Sequence, residues 1–205
     1  MTFSVIDVET TGLSARGGDR ILEIGVAQLD EDGRIADVLD TLVNPGRQVR
    51  ATHVHGITDA MVRDAPRFRD IAAMLISVLD GTVVAAHNAA FDTGFLAEEF
   101  RRAGMALPAF RSVCTLNLAR RYLNALPSRS LASCRRFLGL PDEGAHNALA
   151  DARAAAAVLH HLMVRHDAII DAEPFSGPSV DPNQLMLPDL VDVPLKSRIT
   201  LGDRT

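Results

Sequence analysis

The sequence predicts an α/β protein, and three observations carry that expectation. β-branched and apolar runs crowd into the first part of the chain, helical patterns dominate the rest, and 47% apolar content over 205 residues is enough to bury one full core. Strands are expected at 3–8, 20–29, 34–43 and 82–86, where runs such as Phe3-Ser4-Val5-Ile6 and Thr82-Val83-Val84-Ala85-Ala86 stop at turn-forming residues. Asp30-Glu31-Asp32-Gly33 joins the second and third as a hairpin. Helices are expected at 68–79, 92–103, 115–123, 130–137 and 148–163. The stripe of Phe95, Leu96 and Phe100 marks the second of these, and an alanine-rich composition of high helix propensity marks the last. There is no internal repeat.

Acidic residues at strand and helix ends are the candidates for chemistry. Asp7 and Glu9 close the first strand, and residues two apart on a strand project to one face, so both carboxylates can reach one cation. Taken alone, the pair reads better as a strand end with solvated acids, and the later motifs reverse that preference. Asp92 follows the fourth strand and opens a helix, where an acid also suits the unpaired amides and the helix dipole.

The spacing His-x-x-x-x-Asp occurs three times, at His87/Asp92, His146/Asp151 and His166/Asp171. The third pair sits where the helical pattern fades toward Pro174 and reads as a solvated helix end. The second precedes the alanine-rich helix. Five helical residues leave two side chains about 140° apart around the axis, so His146 is placed in the preceding loop and Asp151 on the helix.

Asp7-x-Glu9, His87-Asn88-x-x-Phe91-Asp92 and His146-x-x-x-x-Asp151, in this order, closely resemble the three motifs of the DnaQ-like exonucleases of the DEDDh family. That group includes the proofreading subunits of bacterial replicative polymerases and related RNA-trimming enzymes. His55-Gly56-Ile57-Thr58, Thr115-Leu116-x-Leu118-Ala119-Arg120 and Ser130-Leu131 agree further, and the match runs from about Phe3 to Met163. The resemblance implies a ribonuclease H-like fold, with a mixed central sheet flanked by helices, and stepwise hydrolysis of phosphodiester bonds from a 3′ end. It implies Asp7, Glu9, Asp92 and Asp151 as ligands of two Mg²⁺ ions, with Mn²⁺ as an alternative, and His146 as the base acting on the attacking water. Hard oxygen ligands suit those cations, and the ordinary pKa of histidine suits that proton transfer. It also implies substrate contacts from Thr10, Thr11, Gly12, Leu13, His55, Gly56, Ile57, Asn88 and Phe91. Leu13 would wedge between the last bases and the His55-Gly56-Ile57 loop would close over the end. Leu13 and Ile57 read equally well as core residues.

Charge and composition limit the partners. The net charge of −5 is unevenly spread: Arg101, Arg102, Arg111, Arg120, Arg121, Arg129, Arg135 and Arg136 fall in a stretch without a single acid. Such a stretch either tracks a phosphate backbone or scatters over several faces and pairs with acids elsewhere. The 4% aromatic content, without Trp, argues against a long stacking platform for single strands and for a grip on a few terminal nucleotides. No apolar run reaches the length of a membrane span and no charged leader precedes Phe3, so a cytoplasmic protein without a membrane partner is expected. Cys114 and Cys134 are expected as reduced thiols.

The division expected is an exonuclease domain over 1–171 and a Pro-rich tail over 172–205, which holds Pro174, Pro178, Pro182, Pro188 and Pro194. Within the tail, Gln184, Leu185, Leu187 and Leu190 resemble the short peptide by which bacterial DNA enzymes dock on the sliding clamp, with Pro188 departing from the aromatic residue of that peptide. The leucines either dock on a clamp or pack back on the enzyme. The functional expectation is a metal-dependent 3′→5′ exonuclease on single-stranded or frayed DNA ends, in proofreading or repair beside a DNA polymerase. An RNA-end trimming exoribonuclease or oligoribonuclease is the alternative within the enzyme class. A non-catalytic nucleic-acid or clamp tether is the alternative outside it, and a complete acidic set argues against that.

Overall fold

Apolar side chains on both faces of its first two strands dictate a sheet covered on both sides. In the computed structural model, which describes residues 1–140, 147–166 and 168–175, β1 (Phe3–Thr10), β2 (Ile21–Leu29) and β3 (Ile35–Leu42) form an antiparallel meander. β4 (Val83–Ala86) and β5 (Phe110–Cys114) extend it in parallel with β1, and β6 (Glu173–Phe175) closes the far edge antiparallel to β5. The strand order is β3-β2-β1-β4-β5-β6, the mixed α/β sheet that the sequence predicts.

Alternation along β1 and β2 sends side chains to two cores. Ile6, Val8, Ile24 and Val26 meet Phe68, Ile71 and Leu75 of α3 (Phe68–Leu79) and Phe95, Leu96 and Phe100 of α4 (Ala89–Ala103). On the opposite face Phe3, Val5, Ala27 and Leu29 meet Ala152, Ala155, Ala156 and Leu159 of α7 (Ala148–His166). Short side chains on α7 let its axis lie close to the sheet. The remaining helices are α1 (Thr52–His55), α2 (Asp59–Val62), α5 (Thr115–Tyr122) and α6 (Leu131–Phe137). No helix among the described residues is long and apolar enough to cross a membrane. Cys114 and Cys134 are free thiols, as expected.

Three local expectations differ from the structure. Helix α4 begins at Ala89, with Asn88 before it in the left-handed region at φ 90°, so Asp92 lies inside the first turn and does not open the helix. β5 and the one-turn helices α1 and α2 escape a periodicity search because four or five residues do not establish a period. β6 lies in the Pro-rich segment read as tail. Pro174 is tolerated there because an edge strand has one unpaired side that needs no N–H. Ala172 is buried in the α7-side core and Phe175 stacks on Phe110 at 4.9 Å, so the fold runs past the expected boundary at Asp171 through Phe175.

Gly25 decides how near α7 comes to the sheet. It pairs with Asp7 across the β1/β2 ladder, and a Cβ built on it would run into the backbone of Ala148 and Leu149. The glycine is thus the seat of the α7 N-terminus. Gly25→Ala is expected to cost about 1–3 kcal/mol or more, the usual range for overpacking, because backbone and not a flexible side chain must move. A fall in the urea midpoint at unchanged slope checks this.

Candidate active site

Asp7 and Glu9 continue the face of β1 on which Phe3 and Val5 meet α7, so the same parity that buries the core points two acids at the helix. Asp151, in the first turn of α7, completes the group: carboxylate oxygens of Asp7, Glu9 and Asp151 lie within 4.8 Å of one another. Asp92 arrives from α4. The parallel pairing of β1 with β4 ends at Val5 and Ala85, which leaves the Val8 N–H without a strand partner on that side, and Asp92 Oδ1 accepts it at 3.2 Å.

Bringing these acids out of water among like charges raises their proton affinity. Asp7 is pushed well above the usual carboxylate range, first by burial and then by Asp92, Asp151, Glu9 and Glu23. Burial, with Asp151 and Glu23, lifts Glu9 to about 7. Burial lifts Asp92 to about 8 against the opposing hydrogen bonds from its own amide and Val8. A site of hard oxygen donors that hold protons for want of positive charge fits divalent cations of the Mg²⁺ or Mn²⁺ kind.

Three residues that the sequence reading did not single out support this group. Glu23 on β2 is buried and accepts from Ala148 N at 3.0 Å and Asn147 Nδ2 at 3.1 Å, which ties the start of α7 to the sheet. Asn147 Oδ1 in turn caps Ala150 N at 3.0 Å. Arg135 of α6, also buried, places Nη1 3.0 Å from Asp151 Oδ1. Glu23 was findable as the single acid of the otherwise uncharged run Ile21–Leu29; nothing in the arginine run marks Arg135 over its neighbours.

That run is divided by the fold. Arg101 and Arg102 pair with Glu98 and Arg102 also with Glu99, Arg111 donates to Ala172 O, and Arg129 donates to Asn124 O. Arg120, Arg121 and Arg136 remain exposed. The scattered arrangement therefore accounts for much of the charge.

Of the three histidines in the repeated spacing, His146 lies outside the described residues. His87 is a strut. Its Nε2 stands 2.8 Å from Arg129 O, which can only accept, so Nε2 carries the proton and Nδ1 accepts from the Thr115 hydroxyl at 3.0 Å. Burial holds its pKa below the ordinary value, and the neutral ring joins β4, α5 and the approach to α6. His166 sits at the C-terminal end of α7 against His161, about 22 Å along the helix from Asp151, and Asp171 is exposed.

The residues expected to contact substrate fall into two groups. Thr10 and Thr11 are buried, and Thr10 Oγ1 donates to Gly12 O at 2.7 Å. The Asp19 carboxylate accepts from Thr11 Oγ1 at 3.1 Å and Ser14 N at 3.0 Å and lies where a Gly12 Cβ would stand. This bracing presents Leu13 at 87% exposure, so Leu13 is not a core residue. Ile57 is one: at 2% exposure it packs with Leu22, Val49 and Val62. Its N–H donates to His55 Nδ1 and its carbonyl accepts from Thr52 Oγ1, so neither its side chain nor its own polar groups face outward. Buried His55 also reaches Arg50 O through Nε2, and Gly56 turns the chain at φ 72°. Asn88 is exposed and Phe91 leans on Phe95 at the edge of the core.

Residues 4–159 match the profile of a family described as "Exonuclease". A DNA polymerase III subunit epsilon-like protein of Rhodobacter capsulatus is 38% identical over 170 residues, which cover 80% of this chain and 24% of that protein. The 3′-5′ exonuclease DinG of Bacillus subtilis is 31% identical over 163 residues, 78% of this chain and 17% of its own length. The chain thus spans about a quarter or less of these curated relatives. Among solved structures, the nuclease domain of 3′hExo, a DEDDh family member bound to rAMP, is similar with a TM-score of 0.72 at 18% identity over 84% of this chain and 96% of that one. Escherichia coli exonuclease I in complex with a dT13 oligonucleotide gives 0.70 at 20% identity over 81% and 42%. These two likenesses show the ribonuclease H-like fold.

The raised carboxylates set a pH dependence. Because Glu9 titrates at about 7 and Asp92 at about 8, the metal-free folded chain keeps protons that the unfolded chain has already released, so stability falls as pH rises through that range. His87 works in the opposite direction below its ordinary value of 6.5, which confines the test to higher pH. In chelator, the urea midpoint is expected to decline between about pH 6.5 and 8, and Asp92→Asn is expected to flatten the decline. Added Mn²⁺ should raise the midpoint more at the upper end, where fewer protons compete for the ligands.

Proposed function

The chain belongs to the exonuclease family, and on that premise we propose that it is a metal-dependent 3′→5′ exonuclease acting on DNA ends through Asp7, Glu9, Asp92 and Asp151. The observation that carries this reading is the meeting of Asp7, Glu9 and Asp151 within 4.8 Å, with Asp92 acting on Asp7 as a further like charge. A structural role for such a group is poor, since bringing its members to one another makes repulsion and no ion pair among them.

Two divalent cations held by these carboxylates would supply a nucleophile at neutral pH and offset the negative charge that builds on the phosphate and the leaving 3′ oxygen. The chain's own contributions are distinct. Asp7 and Glu9 sit on a rigid central strand and Asp151 on a helix fixed by Gly25 and Glu23, so ligand positions do not depend on a loop. His146 precedes Asp151 by five residues and takes the proton from the attacking water. Leu13, exposed on a loop that Asp19 braces, meets the terminal bases, and Asn88, exposed at the N-cap of α4 one turn before Asp92, is the proposed polar contact. DNA is favoured over RNA because the relative at 38% identity is a DNA polymerase III subunit epsilon-like protein. Association with a DNA polymerase follows from the same likeness. The segment 176–205, with Gln184, Leu185, Leu187 and Leu190, lies outside the described residues and is the proposed sliding-clamp peptide.

Asp7→Ala is expected to abolish Mg²⁺-dependent release of nucleotides from end-labelled DNA while the far-ultraviolet spectrum is unchanged, and excess chelator is expected to stop the wild type. Parallel digestion of matched RNA separates the competing reading, in which RNA is the faster substrate. His146→Ala should lower turnover by about 10²–10⁴, the usual worth of a positioned base, and His166→Ala should leave it near wild type; equal effects would reject His146 as the base. A chain ending at Phe175 should keep its digestion of short oligonucleotides and lose any stimulation by a sliding clamp. Loss of basal activity in that chain would assign the leucines to the enzyme itself.

A further inference from the structure

We propose that Arg135 is a positioning residue of the metal site, holding the Asp151 carboxylate turned toward Asp7 and Glu9. The inference rests on the reading of those acids as metal ligands. Arg135 Nη1 lies 3.0 Å from Asp151 Oδ1, and the two side chains are only 8% and 17% exposed, so this is not a solvated surface pair that screening erases. The guanidinium is delivered from a fixed seat. Cys134 beside it is fully buried among Ala119, Val158 and Leu162, which locks α6 against α5 and α7. Ser130 caps the start of α6 through Ser133 N, and Leu140 N donates to the Arg135 carbonyl.

The need for such a residue follows from charge. Asp151 stands among like charges, each of which drives its carboxylate away from the group and toward water. A cation on the α6 side opposes that drive and keeps the ligand in place before any divalent ion arrives. Arginine suits the task because it stays charged when buried and its planar fork fixes direction, which the point charge of lysine does not. Partners that orient metal ligands in this way commonly contribute 10–100-fold to metal affinity or activity.

The test is titration calorimetry of the full chain with Mn²⁺ alone, on wild type, Arg135→Gln and Arg135→Lys, with a melting temperature in chelator for each. The wild type is expected to bind. Arg135→Gln should raise the Mn²⁺ Kd by about 10-fold or more, and Arg135→Lys should fall between the two because charge survives without the fork. If Arg135→Gln binds Mn²⁺ as well as or more tightly than wild type, Arg135 is a bystander or a competitor for Asp151 and the proposal fails, whatever the melting temperature does. If Arg135→Gln does not fold, Arg135→Lys decides, and an unchanged Kd there overturns the proposal. A wild type that binds no Mn²⁺ instead overturns the metal-site reading on which it stands.

Discussion

The close approach of a helix end to a strand at Gly25 is the constraint on which the rest depends. With any side chain at this position the backbone of Ala148 could not lie against β2, and Asp151, one turn further on, would stand away from Asp7 and Glu9. The approach needs satisfied backbone groups as well as space. Glu23, next on the same face of β2, takes the Ala148 N–H that a helix end would otherwise leave unpaired, so a buried acid and a glycine together form the seat.

Like charges gathered at the end of a sheet have to be held there against their repulsion. The two cores supply the force: Phe3, Val5 and the α7 alanines on one side, Ile6, Val8 and the α3 and α4 aromatics on the other. Asp7 and Glu9 stand on β1, and Asp92 and Asp151 in the first turns of α4 and α7, elements whose apolar side chains fill these cores, so withdrawing an acid would pull on buried surface. Protons on Glu9 and Asp92 near neutrality, and the cation of Arg135 beside Asp151, relieve part of the repulsion in the metal-free chain.

Much of the fold was legible because its signals are local and periodic. The stripe from Phe68 to Leu79 predicts α3 with its observed ends, and β1 through β4 fall within two residues of their expected limits. β6 was not legible, since a three-residue strand containing Pro174 has the composition of a tail and exists only because β5 offers an edge. Among the candidate site residues, Leu13 and Ile57 looked alike as apolar residues in loops. One is at a braced tip and the other in a core formed with Leu22, Val49 and Val62, a difference set by contacts distant in the chain.

By itself the sequence determined the α/β class and the order of the acids, because strand parity and helix period are properties of neighbouring residues. It also placed Asp7 and Glu9 on one face, which a two-residue repeat requires wherever the strand lies. Only the tertiary structure decided that this face is the one α7 covers, that Gly25 admits the helix, and that Glu23 and Arg135 belong to the group. It likewise made His87 a strut, through a carbonyl 42 residues away. The physical reason is common to all of these. Close approach, burial and charge pairing act through space, and residues 16 to 125 positions apart carry no local mark of the partner they will meet.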